Sequence, residues 1–330
     1  MPIKLSVLDQ SFTRSPELAS EALRETISMA QHCEELGFER FWVSEHHAFL
    51  TLAGSAPEIL LAAIGTATKS IRIGSGGIML PHYSAYKVAE VFSILANLYP
   101  RRIDLGIGRA PGADMSTAVA LATDGRPKFE RFPELVEELR SYLQNDNVKP
   151  IVSPKPPKDL PIWILGSSAD SAQLAAERGL PYNLALFINP QARQDLIRLY
   201  KQYFQSTKSG QRPYGVVTMS VFCCETLEQA KQQQHTFDVN FYRFVTGQRD
   251  AAGAGDLLTP EQAQDVEMTP QLEGFIAQRS QNRAVGTAEQ VASSIQSVAK
   301  RFGADEVMIV TNMLHFEDRL RSFELLKSVF

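Results

Sequence analysis

The sequence predicts a (β/α)8 barrel of parallel strands. About eight short apolar strands, near residues 3, 40, 72, 103, 162, 183, 217 and 307, alternate with helical patterns. One phrase, an amphipathic helix closed by a glycine and followed by a strand, occurs three times, around Gly37, Gly179 and Gly303. The residues suited to chemistry fall where strands end, which is where barrels of this kind build their sites. A doubly wound open sheet is the alternative that the same alternation allows.

Taken in order, residues 3–8 form a strand that ends at Asp9. After Pro16, the residues Leu18, Ala22, Leu23, Ile27, Ala30 and Leu36 recur at helical spacing until Gly37. Residues 38–43 make the next strand, running into Ser44-Glu45-His46-His47, and a helix follows over 57–66. The stretch 71–112 is the most informative. Ile71, Ile73, Ile78, Met79 and Leu80 form a strand interrupted by Gly74, Gly76 and Gly77. Glycines inside a strand mark a bend or a very close neighbour. Val88, Val91, Phe92, Leu95 and Leu98 then give a helix, and Ile103, Leu105 and Ile107 a strand that opens into Gly108-Arg109. A strand, helix and strand in this order form a right-handed parallel unit. Gly76-Gly77 and Arg109 should therefore face one opening, although a structural hinge and a surface arginine would read the same way.

Helices over 133–143 and 191–203 and strands over 162–165, 182–187 and 214–222 continue the pattern. Thr287 and Gln290 form a capping box before the helix ending at Phe302, and residues 306–310 are the eighth strand. The connection from about 226 to 290 is too long for one helix. Within it, residues 247–281 are Gly-, Gln- and acid-rich with weak periodicity, and their position after strand seven makes them a candidate lid.

Composition narrows the function. The chain has 330 residues, long enough for two domains, but barrels of this size are single units. Its 33 basic and 37 acidic residues give a net charge of −4 and are intermixed, so neither nucleic acid nor a membrane surface is an expected partner. The N-terminus does not read as a signal peptide, and no apolar run approaches the length of a membrane span. Cys33, Cys223 and Cys224 lack zinc or redox spacing, which suggests buried thiols in a reducing, cytoplasmic setting.

The strand ends carry the candidate site. Neighbouring side chains on a strand diverge, so His46 and His47 should not share a metal ion, and His82, His235 and His315 lie in unrelated contexts. One histidine is expected to face a pocket and the other to be packed behind it. In Gly166-Ser167-Ser168-Ala169-Asp170-Ser171, free amides and hydroxyls at a helix start suit an anion, while Ser168 or Asp170 could equally cap the helix. With Arg109 one strand away, a phosphorylated ligand becomes the stronger expectation.

Four phrases together, FERFWVSEHH (38–47), the whole stretch 71–112, PIWILGSSADSAQLAAERGLP (161–181), and VGTAEQVASSI followed by ADEVMIV (285–310), resemble the bacterial-luciferase-like flavin-dependent monooxygenases. The resemblance implies a luciferase-type (β/α)8 barrel, generally a homodimer, that uses reduced FMN and O2 to oxygenate a small organic substrate through a flavin hydroperoxide. It implies that Gly76-Gly77 is a non-prolyl cis peptide behind the flavin ring. Arg109 would meet the FMN phosphate with Ser168 and Ser171 beside it, and Gly166 and Ser167 would line the flavin. His46 would assist catalysis, supported by Glu45 and His47. Reduced FMN would come from a separate flavin reductase or by hydride transfer from NAD(P)H. Gly108 stands where the luciferase catalytic chain has a cysteine, and Ser167 where it has a glutamate. Both argue against light emission and a long-chain aldehyde. A flavin-binding protein without turnover, and an F420-dependent reductase using a basic pocket for its longer tail, are the competing readings.

Overall fold

A computed structural model describes residues 3–122, 124–207, 209–247 and 257–330 of the chain. Ten strands run Lys4–Asp9 (β1), Arg40–Val43 (β2), Arg72–Ser75 (β3), Ile78–Met79 (β4), Ile103–Gly108 (β5), Ile162–Gly166 (β6), Tyr182–Ala185 (β7), Gly215–Cys223 (β8), Ala284–Gly286 (β9) and Glu306–Val310 (β10). Eight of them pair in the order β10-β1-β2-β3-β5-β6-β7-β8, and β8 pairs back onto β10. Every pairing is parallel, so the sheet is a closed barrel rather than an open one. Strand β4 continues β3 beyond Gly76-Gly77 and pairs with β5, while β9 extends the far end of β8. The three glycines of the repeated phrase have φ of 73° (Gly37), 60° (Gly179) and 75° (Gly303), the left-handed turn that ends a helix.

Side chains alternate across the barrel wall as a two-residue period requires. Phe41, Val43, Ile73, Leu105, Ile107, Val217 and Ile309 pack outward against the helices in the main core. Trp42, Trp163, Val216, Met308 and Val310 form a separate inner cluster with Leu8. Trp42 and Trp163 meet edge to face at 5.2 Å. A Cβ on Gly74 would lie 2.7 Å from the Trp42 indole nitrogen, so the glycine in β3 makes room for that ring.

Beneath the tryptophans the interior is ionic. Arg40 donates to both Glu306 carboxylate oxygens, at 2.8 and 3.1 Å, and to Asp104 at 2.7 Å. Arg72 also pairs with Asp104, which accepts from Trp42 Nε1 at 3.1 Å, and Glu306 accepts from Ser6 and from Tyr214 at 2.7 Å. Asp104 and Glu306 are fully buried and their partners are close, which is what makes buried charge tolerable. The Arg40 guanidinium also lies 4.8 Å from the Trp163 ring centroid.

The long connection is more ordered than its composition suggests. It holds a 19-residue helix, Leu227–Val245, and two short ones, Pro260–Gln264 and Pro270–Arg279. Val239, Ala263 and Leu272 form a small core joining the three. Thr259 and Thr269 cap the short helices and a proline starts each. Weak periodicity therefore concealed strong start signals. The part of the candidate lid at 248–256 lies outside the described residues. Helices Met115–Leu121 and Phe316–Lys327 also go beyond the sequence reading. Among the described residues no helix is long and apolar enough to cross a membrane.

Replacing Arg40 with methionine leaves two buried carboxylates short of a partner and is expected to lower stability by about 3–5 kcal/mol in urea denaturation. Lys4→Met, which breaks the exposed pair with Glu39, should cost less than about 1 kcal/mol. Equal losses would contradict this account of the barrel floor.

Candidate active site

Two adjoining cavities open at the C-terminal ends of the strands, of about 320 and 360 Å³. Phe187 and Ile188 line both and form their common wall. Leu8, Trp42, Leu165 and Thr218 contribute to the lining of the smaller one, so the inner cluster of the barrel underlies it.

The smaller cavity collects Gly76, Gly77, Arg109, Gly166, Ser167, Ser168 and Ser171, drawn from the ends of β3, β5 and β6. The Gly76-Gly77 peptide is cis. A Cβ on Gly77 would lie 2.2 Å from Leu165 and 2.8 Å from the Gly106 carbonyl, so only glycine fits. At Gly108 a Cβ would meet nothing closer than Met79 at 3.5 Å, and the missing side chain leaves the cavity wall flat. Arg109 is exposed at the rim and has no hydrogen-bond or ion-pair partner among the described residues.

At the start of helix Ala169–Glu177 the two serines serve first as caps. Ser168 Oγ accepts from the Ser171 amide and Ser171 Oγ from the Ser168 amide, both at 3.4 Å. The Ser171 hydroxyl also donates to the Ser168 carbonyl at 2.8 Å and lies 3.1 Å from the Tyr182 hydroxyl. The first-turn amides of Ala169 and Asp170 have no partner within the helix. The Ser171 hydroxyl proton is spent within the cap, so the donors remaining for an anion are the backbone amides, Arg109 and the Ser167 and Ser168 hydroxyls. The Asp170 carboxylate lines the same cavity and opposes an anion there.

His46 lines the larger cavity; Glu45 and His47 line neither. The His46 Nδ1 is 2.9 Å from Ser44 Oγ, and its ring meets Phe49 edge to face at 5.5 Å. Burial, and the neighbouring His47, push its imidazole down to about 4, so it is neutral at physiological pH. Glu45 is buried and accepts from Tyr83 at 2.8 Å and from the Met79 amide at 3.0 Å, and lies 2.9 Å from His47 Nε2. This carboxylate thus braces the end of β2 against β4, directly beyond the cis peptide. Glu45 and His47 are placed as supports for the loop that presents His46, not as groups facing a ligand. Among the described residues no three His, Cys, Asp or Glu side chains gather as metal ligands.

The sequence reading missed most of the larger cavity. Phe237, Phe241 and Phe244 project from helix Leu227–Val245 along one face, Phe237 and Phe241 stacked at 5.9 Å. Their spacing of four and three residues was a legible signal of a helical aromatic stripe. Arg279, at the end of helix Pro270–Arg279, completes that lining.

Known proteins match this chain along nearly its whole length. The N-acetyl-S-alkylcysteine monooxygenase of Bacillus subtilis is 33% identical, over 98% of this chain and 97% of its own. The crystal structure of apo-MsnO8 is 36% identical with a TM-score of 0.90, covering 99% of this chain and 98% of that one. The oxygenating constituent of 3,6-diketocamphane monooxygenase from Pseudomonas putida, solved with FMN, shares the fold at 18% identity and a TM-score of 0.70, covering 100% and 97%.

The depressed His46 pKa has a consequence for stability. Between about pH 4 and 6.5 the unfolded chain binds a proton at this site that the native chain does not, so stability falls as pH drops through that window. A His46→Asn variant is expected to show a shallower slope there, by up to about one proton or 1.4 kcal/mol per pH unit. An NMR titration placing His46 near 6.5 would contradict the assignment. The luciferase-like monooxygenase model matches residues 3–306, and the chain belongs to that family.

Proposed function

We propose that the chain is an FMN-dependent monooxygenase that oxygenates a small organic substrate. The observation that carries this is the pairing of two cavities: every residue suited to a flavin lines one, and His46 lines the other across a shared wall. The flavin in the structurally similar diketocamphane enzyme supports FMN as the cofactor. Held in the smaller cavity, reduced FMN would supply the two electrons with which O2 gives one oxygen atom to the substrate and the other to water.

The chain's own residues do the rest. Arg109 and the Ala169 and Asp170 amides hold the phosphate by charge-assisted hydrogen bonds. Gly76, Gly77 and Gly108 offer a surface without side chains for the flat ring, and Leu8, Trp42 and Leu165 keep water from beneath it. In the tautomer whose Nδ1–H donates to Ser44 Oγ, His46 presents an unprotonated Nε2 as proton acceptor. Glu45 and His47 position that loop. The helices at 260–264 and 270–279 act as the lid of one barrel unit. A separate flavin reductase, or NAD(P)H, supplies the electrons. Ile59, Ile94 and Leu98, exposed on the neighbouring helices Pro57–Ala67 and Ala85–Leu98, form the face of a homodimer.

An open cavity of about 360 Å³ beside the flavin position favours turnover over storage. Arg109 is the one cation among the described residues lining the smaller cavity, which favours FMN over the longer anionic tail of F420.

Arg109→Ala is expected to weaken FMN binding about 10- to 100-fold, the value of one charge-assisted contact, and Asp170→Asn to tighten it. Binding is read by titrating oxidised and photoreduced FMN, and turnover by incorporation of labelled O2 into product. Unchanged FMN affinity in Arg109→Ala would overturn the phosphate assignment, and flavin binding with no oxygen uptake would favour the storage reading.

A further inference from the structure

The larger cavity is aromatic, yet one of its walls carries a guanidinium to which no carboxylate among the described residues is hydrogen-bonded, Asp238 reaching it only through its longer-range field. Arg279 lies at the end of helix Pro270–Arg279 with its guanidinium 4.3 Å from the Phe241 ring centroid and 5.8 Å from that of Phe275. Its Nε is buried without a hydrogen-bond partner, and its Nη2 reaches only the Phe187 carbonyl, at 3.4 Å. The nearby buried carboxylate, Asp238, is occupied: Arg283 holds both of its oxygens, at 2.7 and 2.8 Å. No Asp or Glu is among the described residues lining the cavity, and His46 is neutral there.

Of the other polar groups in the lining, several are engaged within the wall, and the Thr51 and Ser220 hydroxyls and the Gln10 amide nitrogen are left as neutral donors. Asn312 donates to Gln10 at 2.7 Å, Asn240 bonds the Leu258 backbone twice, and Thr236 returns its hydroxyl to the Gln232 carbonyl. The strongest uncommitted donor facing the aromatic space is thus a partly desolvated guanidinium. Such a group is costly until an anion joins it, and its planar fork suits two oxygens of a carboxylate.

We infer that Arg279 is the carboxylate anchor of the larger cavity, and that the substrate is an organic acid whose apolar body lies along Phe237, Phe241 and Phe244. The inference rests on reading that cavity as the substrate site. It gives the lid helix a second role, since the residue that closes the cavity also selects its occupant. Because the Arg279 contact is to Phe187, which also lines the cofactor cavity, the anchored acid sits beside the wall between the two.

The test compares 4-phenylbutyrate with its neutral amide by isothermal titration calorimetry, on the FMN-loaded and the FMN-free protein. The wild-type protein is expected to prefer the acid by about tenfold or more. Arg279→Gln should lose that preference while keeping its affinity for the amide and for FMN, and Arg279→Lys should retain part of it. Equal binding of acid and amide by the wild type, no binding of the acid at millimolar concentration, or an unchanged preference in Arg279→Gln would each overturn the assignment. A protein that binds no FMN yet shows the Arg279-dependent preference would sink the flavin reading and leave the anchor standing. One that binds FMN without the preference would do the reverse.

Discussion

The barrel is closed at its base by Arg40. Its guanidinium ties β2 to Glu306, 266 residues away, and to Asp104 on β5, so one side chain spans three strands inside the ring. Such contacts contribute little net stability relative to an apolar plug, but removing one partner strands the others. They also fix register: Glu306 and Arg40 meet only if β10, β1 and β2 are aligned as observed. The inner cluster of Trp42, Trp163 and Leu8 rests on this ionic layer and in turn forms part of the lining under the smaller cavity. The position of the candidate site is therefore set from below.

Glycine sets it from the side. Between β3 and β5 the backbones approach so closely that a Cβ on Gly106 would lie 2.1 Å from the Ser75 carbonyl. The same crowding brings the Gly76-Gly77 peptide to the cavity wall, where Glu45 secures the chain beyond it through the Met79 amide and Tyr83. A buried carboxylate next to His46 thus belongs to the support of the pocket. His46 itself, uncharged through burial, lines a space bounded by phenylalanines.

The eight strands of the barrel and the glycine-closed helices were legible because period-two and period-3.6 patterns are local properties. The seven residues gathered around the smaller cavity were legible for a related reason: in a barrel, being at the end of a strand is nearly the same as being at the site. Pairings set by closure were not. Nothing in the sequence near Arg40 indicates that it faces Asp104 and Glu306 inside the ring. The segment at Ser168 and Asp170 was open to two readings, an anion site or a helix cap, and geometry alone shows that Ser168 caps the helix together with Ser171. The aromatic cavity was hidden because its wall comes from a long insertion whose composition resembles a loop. Its Phe237, Phe241 and Phe244 stripe could still have been read as helical.

The central claim is the division of labour between two cavities, and a crystal structure of the protein with FMN tests it most directly. The account requires the flavin ring against Gly76 and Gly77, the phosphate at Arg109 and the helix start at Ala169, and the aromatic cavity beside His46 left open. A flavin lying among Phe237, Phe241 and Phe244, or one filling both cavities, would contradict it.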